Sequence, residues 1–306
     1  MHGRADRGGA AASKAAEQAG PLIQRALGPS ADVLGEHWAA KLRDHFTKTR
    51  KVVDVANRRI RDSDHQGRVP PRVANRIFEE SEYCDDELVT EYLGGVLASS
   101  KTSLDMADLG NAYAAYVAQL AVDHLRAHYH IYAELQRVAH GKAVKWQSRT
   151  EVEHAASLMI PFTVAFRDFC PSSDYDDLFS ILRWLQREQL LLLREGGALS
   201  ALARSFDDVS DNGVIVQPTA LGIELFMWGL GRGSRKIGRY LLDDPADYVI
   251  DEMDLGGGYE IVRPRSHADR TQDVINELSG GKGSALDVIS NVDLSQIRLR
   301  HDDDMG

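Results

Sequence analysis

The residues with the clearest capacity for chemistry in this 306-residue chain are histidines and arginines. His124 and His128 stand four apart in AVDHLRAHYHIY, so a helix places them one turn apart on one face, with His130 nearby and His140 beyond. Two histidines so spaced are half of a zinc site. The H-E-x-x-H metalloprotease pattern needs a glutamate directly after the first histidine as general base, but His124 is followed by Leu125 and Arg126, and no third ligand is evident. Partly exposed surface histidines are the plainer reading, and no metal or cofactor is expected. Nucleophile and phosphate motifs fail in the same way. There is no G-x-S-x-G and no G-x-x-x-x-G-K-[ST]; GGKGS near the C-terminus lacks the preceding strand and the spacing. GLGRGSRKIGR resembles a dinucleotide loop only superficially, because it follows a helical pattern rather than a strand. With no catalytic constellation, an enzyme is not the expectation. The two cysteines, Cys84 and Cys170, lie far apart and read as free thiols of a cytoplasmic protein.

Arginines offer a different chemistry, the binding of phosphate. Arg183 and Arg187 lie four apart on the LRWLQREQ helix, and Arg232, Arg235, Lys236 and Arg239 form a compact cluster further on, which makes nucleic acid an alternative partner. The net charge of −10 is unevenly spread. Residues 241–306 hold 15 acids against 6 Lys and Arg, whereas residues 1–61 hold 12 bases against 6 acids. An anionic tail tethered to a chain with a basic start can dock intramolecularly and autoinhibit, because tethering gives it a high effective concentration; a merely solubilising tail is the simpler reading. No apolar run approaches the ~18 residues of a membrane span, and the first twenty residues lack the apolar centre of a signal peptide.

These side chains depend on helices for their placement. Residues 1–14, rich in Gly, Ala and charge, read as disordered. A helical region over 15–140 follows. Ser30 can cap a long amphipathic helix in which Leu34, Trp38, Leu42, Phe46, Thr49, Val53, Ala56 and Ile60 recur at steps of three and four. After the loop DSDHQGRVPP, Pro71 suits the first turn of a second helix. In CDDELVTEYLGGVLASSK, Asp85 or Asp86 caps a third, and the adjacent Gly94 and Gly95 mark a close helix crossing, since a helical glycine otherwise costs about 1 kcal/mol. Two more helices run from about Ser103 to Gln119 and through AVDHLRAHYHIYAELQRVAH. Beyond the polar linker GKAVKWQSRT, residues 150–230 carry an apolar stretch interrupted by Pro161 and an amphipathic helix over DYDDLFSILRWLQREQLLLL. An Asp211-Asn212-Gly213 turn, a strand at Val214–Val216 and a helix capped by Thr219 follow, the order of the back half of a winged-helix module. Residues 231–306 read as a basic linker, a hairpin within DYVIDEMDLGGGYEIV, and an acidic, largely disordered tail. The expected fold class is mainly α.

The segment LGPSADVLGEHWAAKLRDHF, Leu27 to Phe46, resembles the opening of the bacterial Abi-alpha (abortive infection alpha) family, in which an LGP-x-A-x-x-x-G segment starts a long basic helix. DDELVTEYLGGVLASS, QLAVDHLRAHYHIY, LRWLQREQLLLL and PTALGIELF fit the same family, so the resemblance spans roughly residues 20–230. The chain departs at Gly94 and Gly95, where larger residues are the family habit, and in its extra tail. The resemblance implies a cytoplasmic, non-enzymatic effector or regulator of antiphage abortive infection, acting on a protein partner or phage component or on nucleic acid, with oligomerisation open. The alternative is a winged-helix DNA-binding transcriptional regulator.

Overall fold

The computed structural model describes residues 46–60, 67–101, 108–141, 157–235, 237–251 and 253–265. The expected disordered start, the first half of the long basic helix, the linker after Gly141 and the acidic tail beyond Arg265 lie outside them.

The sequence signals for helix starts translate directly into structure. Helix α1 spans Phe46–Arg59, the end of the long amphipathic pattern. Pro71 opens α2 (Pro71–Ser81), where its missing N–H is no loss. Asp86 caps α3 (Glu87–Ser99), its carboxylate accepting from the N–H groups of Leu88 at 2.8 Å and Val89 at 3.4 Å. Helices α4 (Leu109–Gln119) and α5 (Val122–Ala139) complete the first half.

The glycine pair in α3 is a packing device. A Cβ on Gly95 would overlap the carbonyl of Gly229, and one on Gly94 would overlap the side chain of Val55 in α1. Helix α3 is therefore pinched between α1 and a later helix. Ser99 adds a polar stitch at the same crossing, donating to the Trp228 carbonyl and accepting from the Gly233 N–H, both at 3.0 Å.

The second half is not all-helical. Strand β1 (Ser157–Pro161) leads into α6 (Phe162–Asp168) and α7 (Tyr175–Arg187); β2 (Leu191–Gly197), α8 (Leu199–Ser205), the two-residue β3 (Phe206–Asp207), β4 (Gly213–Pro218) and α9 (Ala220–Gly229) follow. Two 3-10 turns (Ile237–Arg239 and Pro245–Tyr248) lead to β5 (Glu260–Pro264). The strands form a curled antiparallel sheet in the order β2-β4-β1-β5-β3. Leu158 pairs with Val216 of β4 and with Ile261 of β5, so β1 is the central strand. Its alternate residues serve two cores. Leu158 and Ile160 join the main one, while Met159 joins Ile215, Val262, Phe206 and Leu202 of α8.

Three expectations are corrected. The chain is mixed rather than mainly α, because the apolar stretch before Pro161 and the leucines after Arg187 are strands. Helix α7 stops at Arg187 because Gln189 takes a left-handed conformation (φ 60°) and the Leu190 N–H turns back to the Leu185 carbonyl at 2.9 Å, closing a Schellman-type end without a glycine. The segment read as a loose basic linker is packed: Tyr240, Leu241, Tyr248 and Ile250 are buried, and the expected hairpin is the single strand β5, paired with β1 and β3. The two halves share one continuous core in which Phe226 of α9 sits among His128, Tyr129, Tyr132, Tyr240 and Tyr248. Among the described residues, no helix is long and apolar enough to cross a membrane.

Candidate interaction surface

Helix α7 presents the most distinctive outer face of the described chain. Asp174 caps it, accepting from the Asp176 N–H at 2.7 Å, and Leu178, Ile181, Leu182 and Leu185 form its inward stripe. Arg183 and Arg187 are exposed on successive turns of the outer side. Each guanidinium lies beside an aromatic ring. The Cζ of Arg183 lies 5.7 Å from the centre of the Phe179 ring, and that of Arg187 lies 3.5 Å from Trp184 while its Nη2 pairs with Glu188 at 2.9 Å. Trp184 in turn stacks on His124 of α5, the centroids 5.1 Å apart and the planes within 7°. Burial holds His124 below its ordinary pKa; Asp123 opposes that shift and Arg187 reinforces it.

Beside the arginines is a cluster that the reading of basic residues passed over. Phe162 and Phe166 of α6 and Tyr175 and Phe179 of α7 are two pairs, each four apart, so each pair shares a helix face. They interlock with Phe162 edge-on to Tyr175 at 4.8 Å and Phe166 edge-on to Tyr175 at 5.2 Å. Tyr175 remains 53% exposed, and the three phenylalanines are half-buried. The β2–β4 end of the sheet abuts the same place: Phe162 N–H donates to the Asn212 carbonyl at 3.1 Å, and Leu199 N–H to the Asn212 side chain at 2.7 Å. Asp174, Asp176, Asp177 and Asp211 are exposed around it. The i, i+4 repetition of aromatic residues on either side of CPSSD was the available sequence signal.

The second basic cluster is built differently. Arg232 is 3% exposed, with Nη2 3.6 Å from Asp247; Arg235 pairs with Asp243 at 2.7 Å and Asp247 at 3.5 Å; Arg239 lies 3.6 Å from Asp243. Tyr248 also donates to Asp243, at 2.9 Å. The structure brings these three arginines together around Asp243 and Asp247, which stand just before and within the Pro245–Tyr248 turn. Lys236 lies outside the described residues.

The histidines do not converge. His124 is in the tryptophan stack, whereas His128 is fully buried, its Nε2 3.0 Å from the Gly222 carbonyl and its Nδ1 2.9 Å from the Tyr92 hydroxyl. A carbonyl only accepts, so Nε2 carries the proton and Tyr92 donates to Nδ1. His130 is 4% exposed, its Nδ1 3.9 Å from Asp168, which itself accepts from the Tyr259 hydroxyl at 2.9 Å. Burial lowers the pKa of His128 to about 3 and that of His130 to about 4. The expectation of surface histidines is thus corrected for both: they are neutral core groups. Among the described residues, no three His, Cys, Asp or Glu side chains come together as metal ligands. Cys84 lines a polar groove of about 300 Å³ with Lys51, Asp54, Asp86 and Glu91, and burial, helped by Glu80, raises its thiol to about 11, which keeps it protonated and unreactive.

Comparison with known proteins gives no matching family model, no matching curated protein and no matching solved structure.

Proposed function

We propose that this protein is a non-enzymatic effector or regulator of bacterial antiphage defence by abortive infection, and that it works by protein contact through the α6–α7 surface. The observation that carries the contact reading is the four-ring aromatic cluster with its exposed Tyr175, because half-exposed aromatic clusters beside arginine are typical of the centres of protein interfaces. The defence assignment is supported by the resemblance of Leu27–Phe46 and the four later segments to the Abi-alpha family. Reading residues 150–230 as a winged-helix-like module is supported by the succession β1, α6, α7, β2, α8, β3, β4, α9 and the strand order β2-β4-β1, with α7 in the recognition position and 198–212 as the wing.

The test is to challenge cells carrying or lacking the gene with a phage panel and to score plaques together with survival of infected cells. The proposal expects fewer plaques without better survival of infected cells. Equal plaque counts across the panel would contradict it.

One observation favours the DNA-binding regulator as a second reading: Arg183 and Arg187 are exposed four apart on the helix that a winged helix uses to enter the major groove. The same helix carries Asp176 and Asp177, with Asp174 at its cap, so its outer charge is balanced rather than basic. This reading expects salt-sensitive duplex binding whose slope in log K against log salt drops by about 0.9 in Arg183→Ala.

A further inference from the structure

We propose that α7 pairs antiparallel with α7 of a second copy of this chain, across a two-fold axis passing near Phe179 and Ser180. The inference rests on the reading of this surface as a protein-contact face. It follows from the order of groups along the outer face of one helix. Asp176 lies in the first turn, Phe179 and Ser180 follow one turn later, and Arg183 one turn beyond them, so acid, ring and base share one face. A two-fold rotation reverses that order. Asp176 then faces the second copy's Arg183, Arg183 faces the second copy's Asp176, and the rings meet at the axis. The pattern is self-complementary, which is the requirement of an isologous contact, and each bridge is made twice.

Three features agree with this occupant. The two helix dipoles run in opposite directions, and each acid sits at the positive end of its own helix. Tyr175, Phe162 and Phe166 flank the axis and supply apolar area that one copy leaves uncovered. Arg183 lies over the Phe179 ring, and among the described residues no carboxylate pairs with it, so its charge is available to the second copy. A duplex would meet Asp174, Asp176 and Asp177 on the same helix, whereas a second copy answers those acids with arginine.

The test is the mass in solution of the full chain, by sedimentation equilibrium, for the wild type, Asp176→Arg, Arg183→Asp and an equimolar mixture of the two variants. Both positions are exposed, and thermal melts monitored by circular dichroism establish that each variant is folded. The wild type should be a dimer. Each single change places like charges at both bridges and should weaken the dimer about tenfold or more. The mixture should recover wild-type affinity, because in the mixed dimer both bridges again join opposite charges. A monomeric wild type, a dimer indifferent to either change, or a mixture that fails to recover would overturn the proposal. If the wild type is monomeric while Tyr175→Ser abolishes phage protection, the self-pairing falls and the contact-face reading stands.

Discussion

His128 illustrates how much of this molecule is settled by single buried polar groups. With Nε2 donating to the Gly222 carbonyl and Nδ1 accepting from Tyr92, the ring ties α5 to α3 and to the first turn of α9, and the bond from Tyr92 requires the neutral form. Its folded pKa of about 3, and about 4 for His130, lie below the ordinary 6.5, so the unfolded chain binds more protons across that interval. Their stabilisation is complete above about pH 6.5 and is lost as the pH falls toward 4 and below. Urea melts at stepped pH should show stability falling over that window, and His128→Gln should flatten the slope by about one proton while lowering stability at pH 7. Glu91 makes a comparable case. It is 5% exposed and accepts from Arg58 at 2.5 Å and Arg59 at 2.8 Å. Glu91→Ala leaves the 13% exposed Arg59 without its acid and should cost about 3 kcal/mol in a denaturant melt.

At the scale of elements, the decisive features are a close crossing and a helix end. Gly95 faces the backbone of Gly229, which cannot rotate out of the way as a side chain would. Gly95→Leu should therefore lower stability by about 3 kcal/mol or more, and a melting temperature equal to wild type would refute the crossing as described. The crossing was legible because two adjacent glycines in a helical pattern require a reason. The end of α7 was not legible. Nothing in REQLLLL breaks a helix, and the break depends on tertiary partners: Thr219 donates to the Gln189 carbonyl at 2.7 Å and Tyr132 to that of Leu190. Gln189 occupies left-handed space that glycine occupies without steric cost, so Gln189→Gly should hold or raise stability by up to about 1 kcal/mol, whereas Gln189→Val should lower it. Strand β1 was hidden for a related reason. It is central in the sheet and buried along its whole length, so SLMIP shows none of the alternation of a half-exposed strand.

For the whole molecule, one core joins the helical half to the sheet half, and the chain from Gly231 to Arg265 closes over it rather than leading away. Charge near the second basic cluster is paired within the chain. The bases near 232–239 resemble a phosphate cradle in sequence, yet the acids that engage them follow within the next eight residues. The aromatic pairs of α6 and α7 are the opposite case. They are ordinary core material in sequence, and become a candidate surface only because the fold leaves Tyr175 half in solvent. The central claim is that this surface carries the activity. It is tested most directly by phage protection in cells expressing Tyr175→Ser at wild-type protein level and with a wild-type-like melting temperature. The account expects protection to fall to the level of cells lacking the gene; full protection by this variant would contradict it.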